Sequence, residues 1–433
     1  MADTKAFEGC SIKNAKIFSN IDDLEIDLDS SADVEYSESM FTDTIEVDYV
    51  VSNISGGVRG KTLMEGLPLV GTEDFELKIE DALGNSLEVN LNVNKVTPIR
   101  KDTQQETIAL RLTSEEFIRN EERASAVSKR YDGKISEHIR KILTDNLSTE
   151  KELFIDETSN NYNFIGNLRK PIYIINWLAK KCIPSVDGKR GESAGYMFFE
   201  TADGFHFKSI DSLFAQEHIK SYIFTDTGES LPPVGYDGKI IKMDIDNRFI
   251  ANQKLRMGAY NTKLIVFDPF NCKYNVVEQS ATDSEEGTTH AGYELPVIND
   301  KFNVEPTRTT FMLKDTGTLP TGDVKEQVKK NKEETFEVES ILNQAIRRYN
   351  QFSIGSVEVD IAPDFSLHVG DCIFIDAPNT GGEKDKHIGG KYIIAVLKHA
   401  IRSGGKGITK LGLVRDSFGR AGKPHNGSTL EAN

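Results

Sequence analysis

Cysteine, histidine, positive charge and long apolar runs are all in short supply in this 433-residue chain, and each shortage removes a class of protein. The four cysteines, Cys10, Cys182, Cys272 and Cys372, are scattered, with no C-x-x-C pair and no metal-ligand spacing. They read as reduced core thiols, and no disulfide framework or zinc site is written in them. The eight histidines form no H-E-x-x-H and no i, i+4 pair; His206, inside an aromatic stretch, reads as a satisfied strand residue. The start, MADTKAFEGC, has no signal-peptide run, and apolar runs such as YIIAVL fall far short of a membrane span, so neither export nor a membrane anchor is expected. Lys and Arg total 52 against 68 Asp and Glu, a net charge of −16. That balance argues against a surface built to grip phosphate backbones.

Catalytic signatures are missing too. There is no G-x-S-x-G elbow and no papain-like cysteine signature. SGGVRGKT at 55–62 resembles a phosphate-binding loop, but Ser55 stands where the first glycine is required and no obvious helix follows, so it reads as an inter-strand loop. The run Lys325, Lys329, Lys330, Lys332 reads as a solvated face. Carboxylates are plentiful, which leaves an Asp/Glu pair for carbohydrate hydrolysis open without singling one out.

What is present is strand alternation. Leu24, Ile26 and Leu28 oppose Glu25, Asp27 and Asp29; Ile45, Val47 and Tyr49 oppose Glu46 and Asp48; Phe75, Leu77 and Ile79, then Leu87, Val89, Leu91 and Val93, repeat the pattern. Such period-two segments predict an antiparallel β domain over 1–112, with a turn at Ala82-Leu83-Gly84-Asn85 and one polar, mostly acidic face. At Thr113 the period lengthens to about 3.6, and Thr113 with Glu116 has the form of a capping box. Amphipathic helices follow around Ile135–Leu143 and from Pro171. Then comes GYMFFETADGFHFKSI, two aromatic strands meeting in a three-residue loop closed by Gly204, with Tyr196, Phe198, Phe199, Phe205 and Phe207 marking a packed core. Residues 113–218 therefore form an α+β module.

Strand patterns return in 219–275 and, after a helix from Thr335, in 335–420, predicting a second β domain. A polar insertion covers 276–334, with a short strand at Phe311-Met312-Leu313, and 421–433 reads as a disordered tail. The fold class expected is α+β, mainly β. The carboxylates Glu25, Asp27, Asp29, Glu46 and Asp48 are the candidate functional residues: a solvated sheet face on one reading, and on the other the lining of a bore, if copies arrange that face around an axis.

Taken in order, VEYSESMFTDTIEVDYVVSN with GLPLVG, EFIRNEERASAVSKRYDGKISEHIRKIL, PIYIINWLAKK with YMFFETADGFHFKSI, and SLHVGDCIFIDAP with GGKYIIAVLKHAI and LGLVRDS resemble the central baseplate hub proteins of contractile-tailed bacteriophages, whose fold is shared with the N-terminal part of type VI secretion VgrG spikes. The resemblance implies two tail-tube-like β domains per chain and a homotrimeric ring between a threefold central spike protein and a sixfold tail tube, in contact with other baseplate proteins. The genome would pass through without specific binding. It also implies a virion location, assembly in the host cytoplasm, no cofactor and no catalysis. A carbohydrate hydrolase and the equivalent hub of a secretion or injection machine remain the alternatives.

Overall fold

The computed structural model describes residues 9–28, 32–54, 58, 60–67, 69–101, 105–186, 189–190, 193–225, 232–245, 251–268, 272–280, 288–294, 299, 305–315, 317–318, 325, 338–377, 385 and 388–424. Asp29, most of the loop at 55–59, Lys329, Lys330 and Lys332, much of the expected insertion and the last residues of the expected tail lie outside the described residues. The molecule is mainly β with a minority of helix.

Alternation builds the first sheet. Strands β1 (Ser11–Phe18), β2 (Glu25–Asp27), β3 (Asp33–Ser39) and β4 (Glu46–Ile54) precede a single helical turn, α1 (Leu63–Gly66); β5 (Asp74–Glu80), β6 (Ser86–Lys101) and β7 (Gln105–Thr113) follow. They pair antiparallel in the order β2-β1-β5-β6-β7-β4-β3. The residues predicted to face inward do so: Val47, Tyr49, Phe75, Leu77, Ile79, Leu110 and Leu112 are buried. The β5–β6 turn is held by the Asp81 carboxylate, which accepts from the N–H groups of Leu83 and Asn85 at 2.9 Å each. A turn of helix does follow the SGGVRGKT loop, although none was expected.

The backbone turns helical just after Thr113. Thr113 ends β7, and Ser114 occupies the cap position of α2 (Glu115–Arg119) without a side-chain cap bond. Glu116 is drawn elsewhere, to Thr149 Oγ1 at 2.6 Å and Lys151 Nζ at 2.7 Å, so the expected capping box does not form. Next come β8 (Arg130–Tyr131), α3 (Ile135–Lys141) running into a π turn, β9 (Glu152–Ile155), β10 (Phe164–Ile165), α4 (Pro171–Ala179) with Pro171 in its first turn, β11 (Ser185–Val186) and β12 (Lys189–Arg190). The aromatic hairpin is β13 (Tyr196–Thr201) and β14 (Gly204–Ser209), and α5 (Ile210–Ala215) follows directly.

Thr201 pairs with Gly204, so the hairpin loop has two residues, Ala202 and Asp203, where three were expected. Gly204 is needed for another reason. β9 runs parallel to β14 and its Glu152 carbonyl oxygen would stand 2.2 Å from a Cβ at Gly204, whose φ is +146°. The hairpin is buried on both sides. Phe199 belongs to the larger core, shared with the β sheets; Tyr196, Phe198, Phe205 and Phe207 belong to a second core with the helices of the module.

The remaining elements are β15 (Lys220–Ile223), β16 (Gly238–Ile245), α6 (Ala251–Met257), β17 (Asn261–Asp268), β18 (Lys273–Ser280), β19 (Arg308–Leu313), α7 (Val338–Gln351), β20 (Gly355–Ile361), β21 (Cys372–Asp376), β22 (Gly390–Arg402) and β23 (Lys406–Arg415). Six of these strands close on themselves in the order β22-β21-β15-β16-β20-β23, because β23 pairs back onto β22. The 13-residue β22 gives its beginning to β21 and its remainder to β3. The barrel and the first sheet are thus one continuous hydrogen-bonded sheet. Strands β17 and β18, placed by the sequence in the second β domain and the start of the insertion, instead form a separate three-stranded sheet with β19. Leu264 and Val266 of β17, with Leu342 and Ala345 of α7, join the core of the module.

Candidate functional surface and its buried supports

Across the first sheet, register carries one polar row from strand to strand, buried where it passes Asn92 and Thr113. Asp27 lies opposite Lys16, Lys16 opposite Glu76, and Glu76 opposite Asn90; two residues along, Asn92 lies opposite Thr113 and Thr113 opposite Glu46. Glu25, Asp27, Glu46 and Asp48 therefore share this face, as alternation predicted, but in two groups separated by β1, β5, β6 and β7.

Each group meets a cation from another strand. Arg111 donates through Nε and Nη2 to the two oxygens of Asp48 at 2.8 Å each and lies 3.8 Å from Glu46. Lys16 stands 3.4 Å from Glu25 and 3.7 Å from Asp27. The face expected to be mostly acidic carries mixed, paired charge. It continues across β22, where Lys398 reaches Glu35 at 2.8 Å, to Lys410 and Asp360 of the barrel. Exposed pairs of this kind add little stability; their effect is on the surface potential.

Beneath this face lie buried charges that fix how the β units and the module meet. Glu38 sits in the inward register of β3 and is 1 % exposed. Its carboxylate accepts from Tyr36 Oη at 2.6 Å, Val369 N at 2.9 Å, Ala202 N at 3.0 Å and His368 Nδ1 at 3.0 Å. One side chain so joins the first sheet, the tip of the aromatic hairpin and the loop entering β21. Burial would raise the Glu38 pKa, but the bond and charge of His368, with the Tyr36 and Val369 donors, hold it below the usual value. Burial would lower that of His368, yet the bond and charge of Glu38, with the charge of Asp203 behind them, push it up to about 9. The neighbouring Asp371 is raised by burial to about 6.

A second junction centres on Lys151, between Glu116 at 2.7 Å and Glu200 at 2.6 Å. Glu200 also accepts from Ile45 N at 3.2 Å, tying β13 to the first sheet. In the third, fully buried Arg348 of α7 reaches Asp416 and Asp211 at 2.9 Å each and the Thr289 carbonyl at 3.0 Å. Asp416 is held below the ordinary carboxylate range, burial notwithstanding, by its bond to His290 and the charge of Arg348. His206 does behave as a strand residue: it stacks on Phe199 and bonds Thr201. The sequence reading named none of Glu38, His368, Lys151 or Arg348 as functional.

Solved structures share the fold. A tail protein from Neisseria meningitidis MC58 superposes with a TM-score of 0.52 at 10% identity, over 94% of this chain and 97% of that one. The chain has a phage tail protein fold. The 43 kDa tail protein of prophage MuSo2 from Shewanella oneidensis matches equally, with a TM-score of 0.52 at 9% identity over 94% of this chain and 98% of that one. No family profile and no curated protein matches the sequence. The likeness is one of fold, at 9–10% sequence identity.

Proposed function

We propose that the chain is the structural hub of a phage tail baseplate, a homotrimeric ring that adapts a threefold central spike to a sixfold tail tube and forms part of the DNA conduit. The observation that carries this reading is the joining of β3 to β22, which puts a seven-stranded sheet and a six-stranded barrel side by side with one polar face in common. Three such chains supply six β units, the number a sixfold partner requires. The tail protein fold supports a structural role in the virion. The domain division at 1–112, 113–218, and 219–275 with 335–420 is part of the proposal, amended by the removal of β17 and β18 from the second β unit.

The paired charges of Glu25, Asp27, Glu46 and Asp48 suit a lining along which DNA slides: their carboxylates repel phosphate, and Lys16 and Arg111 are already engaged with them. Light scattering on the purified chain tests the assembly. A particle of three times the 48.3 kDa chain mass is expected; a monomer at all concentrations contradicts the ring.

A further inference from the structure

We infer that the six-stranded barrel holds a small oxyanion, a phosphate or a carboxylate group, on the guanidinium of Arg415. Along β23, Thr409, Leu411, Leu413 and Arg415 lie opposite Ile361, Val359, Val357 and Gly355 of β20, and all eight are buried. The last side chain of this row is therefore a guanidinium, 1 % exposed. A cation stripped of water needs a counterion and an acceptor for each N–H. Arg415 has little of either. Its Nη1 donates to the Gly389 carbonyl at 3.3 Å; among the described residues, buried Nε and Nη2 meet no acceptor. The acids nearby are engaged elsewhere: Asp416 with Arg348 and His290, Asp376 with Arg420 and Tyr236, and Asp385 with Ile388 N. Burial accordingly lowers the pKa of Arg415, against the opposing influence of Tyr392, Asp385 and Asp416. Stacking does not meet the need. The Cζ lies over the Tyr392 ring at 4.6 Å and the Phe418 ring at 5.4 Å, contacts that serve the cation's faces and leave its in-plane N–H groups without acceptors.

The donors left over select the ligand. Nε and Nη2 form the side-on edge of the guanidinium, two parallel N–H groups that match two oxygens of a carboxylate or phosphate. Arg111 uses the same two atoms to hold Asp48. A water molecule can accept a hydrogen bond there but brings no charge to offset the cation. Glycines leave the surroundings of the group bare. A Cβ at Gly355 would stand 3.2 Å from Nε, and one at Gly390, whose φ is +138°, 3.3 Å from Nη1. Because the group is enclosed, its guest is a small ion taken in as the barrel closes, and neither a nucleic acid strand nor an extended peptide fits. The site belongs to the single chain and does not depend on the ring.

The test is thermal unfolding of the full-length chain, followed by circular dichroism at one protein concentration after dialysis into sodium chloride. Sodium phosphate or sodium acetate then replaces the chloride over about 0.1–20 mM at constant ionic strength, because an ion bound only by the folded state raises the midpoint with the logarithm of its concentration. The midpoint of the unaltered chain is expected to rise with at least one of the two oxyanions, and the one that acts names the group. Arg415→Gln should need at least ~10-fold more of it for the same rise. The general salting effect of phosphate acts on both chains alike. Equal rises in the two chains therefore overturn the site, as does an unaltered chain that neither oxyanion moves. Should Arg415→Gln fail to fold, Gly355→Ala takes its place: its Cβ crowds the Nε edge and is expected to weaken the response, and an undiminished response overturns the site.

Discussion

Glu38 shows how a single residue sets the geometry of this protein. Its carboxylate receives four donors from three parts of the chain, so truncation leaves His368 and two backbone N–H groups without their acceptor. Glu38→Ala is expected to cost about 3–5 kcal/mol, the range for breaking a buried charged pair, measured by chemical denaturation; a loss below ~1 kcal/mol would contradict the role. The pH dependence has a definite sign. His368 binds its proton more tightly folded than unfolded, with a folded pKa of about 9 against 6.5. Its contribution is therefore complete below pH 6.5 and is lost as pH rises through about 9. Asp371, raised to about 6, titrates below that window, and Glu38 lies lower still. The unfolding free energy of the unaltered protein should fall between pH 6.5 and 9.5 by more than that of His368→Gln; parallel curves would contradict the assignment.

Glu38 was in part legible in the sequence. Val34, Tyr36 and Glu38 alternate on one side of β3, so a carboxylate stands in an inward position. Nothing local says what pairs with it, because its partners lie about 165 and 330 residues away. The pairing on the polar face was hidden in the same way at Glu46 and Asp48, which are visible in one short segment, whereas their partner Arg111 arrives from a strand about 63 residues on.

Among the elements, the aromatic hairpin is the most constrained. Gly204→Ala places a Cβ 2.2 Å from the Glu152 carbonyl at a φ of +146°, and should destabilise by at least ~2 kcal/mol, seen as a lowered thermal midpoint. Arg348→Ala should cost about 3–5 kcal/mol by leaving Asp211 and Asp416 buried without their cation; denaturation measures it, and an unchanged midpoint would contradict the network. The strands with clean alternation and the helix opening at Pro171 were legible because local burial pattern fixes them. The closure of the barrel was not. It depends on β15 running parallel to both β16 and β21, pairings that no local pattern encodes. Strand β18 is mostly exposed, so it lacks the apolar alternation that would have set it apart, and the apolar run KLIVF in β17 gives no sign of which sheet it joins.

At the scale of the whole molecule, a continuous sheet from β2 through β3 and β22 into the barrel gives the chain two β units in a fixed relation, supported by the three buried charge junctions. A ring of three such chains with paired charges on its lining should bind duplex DNA weakly even at low salt, with Kd above ~10 μM and a shallow salt slope; tight binding with a steep slope would contradict a sliding surface. The most direct test of the central claim is electron microscopy of the purified chain seen end-on. The account predicts a ring with a central hole and six lobes related by threefold symmetry, and a particle without a hole, or with a number of lobes other than six, would contradict it.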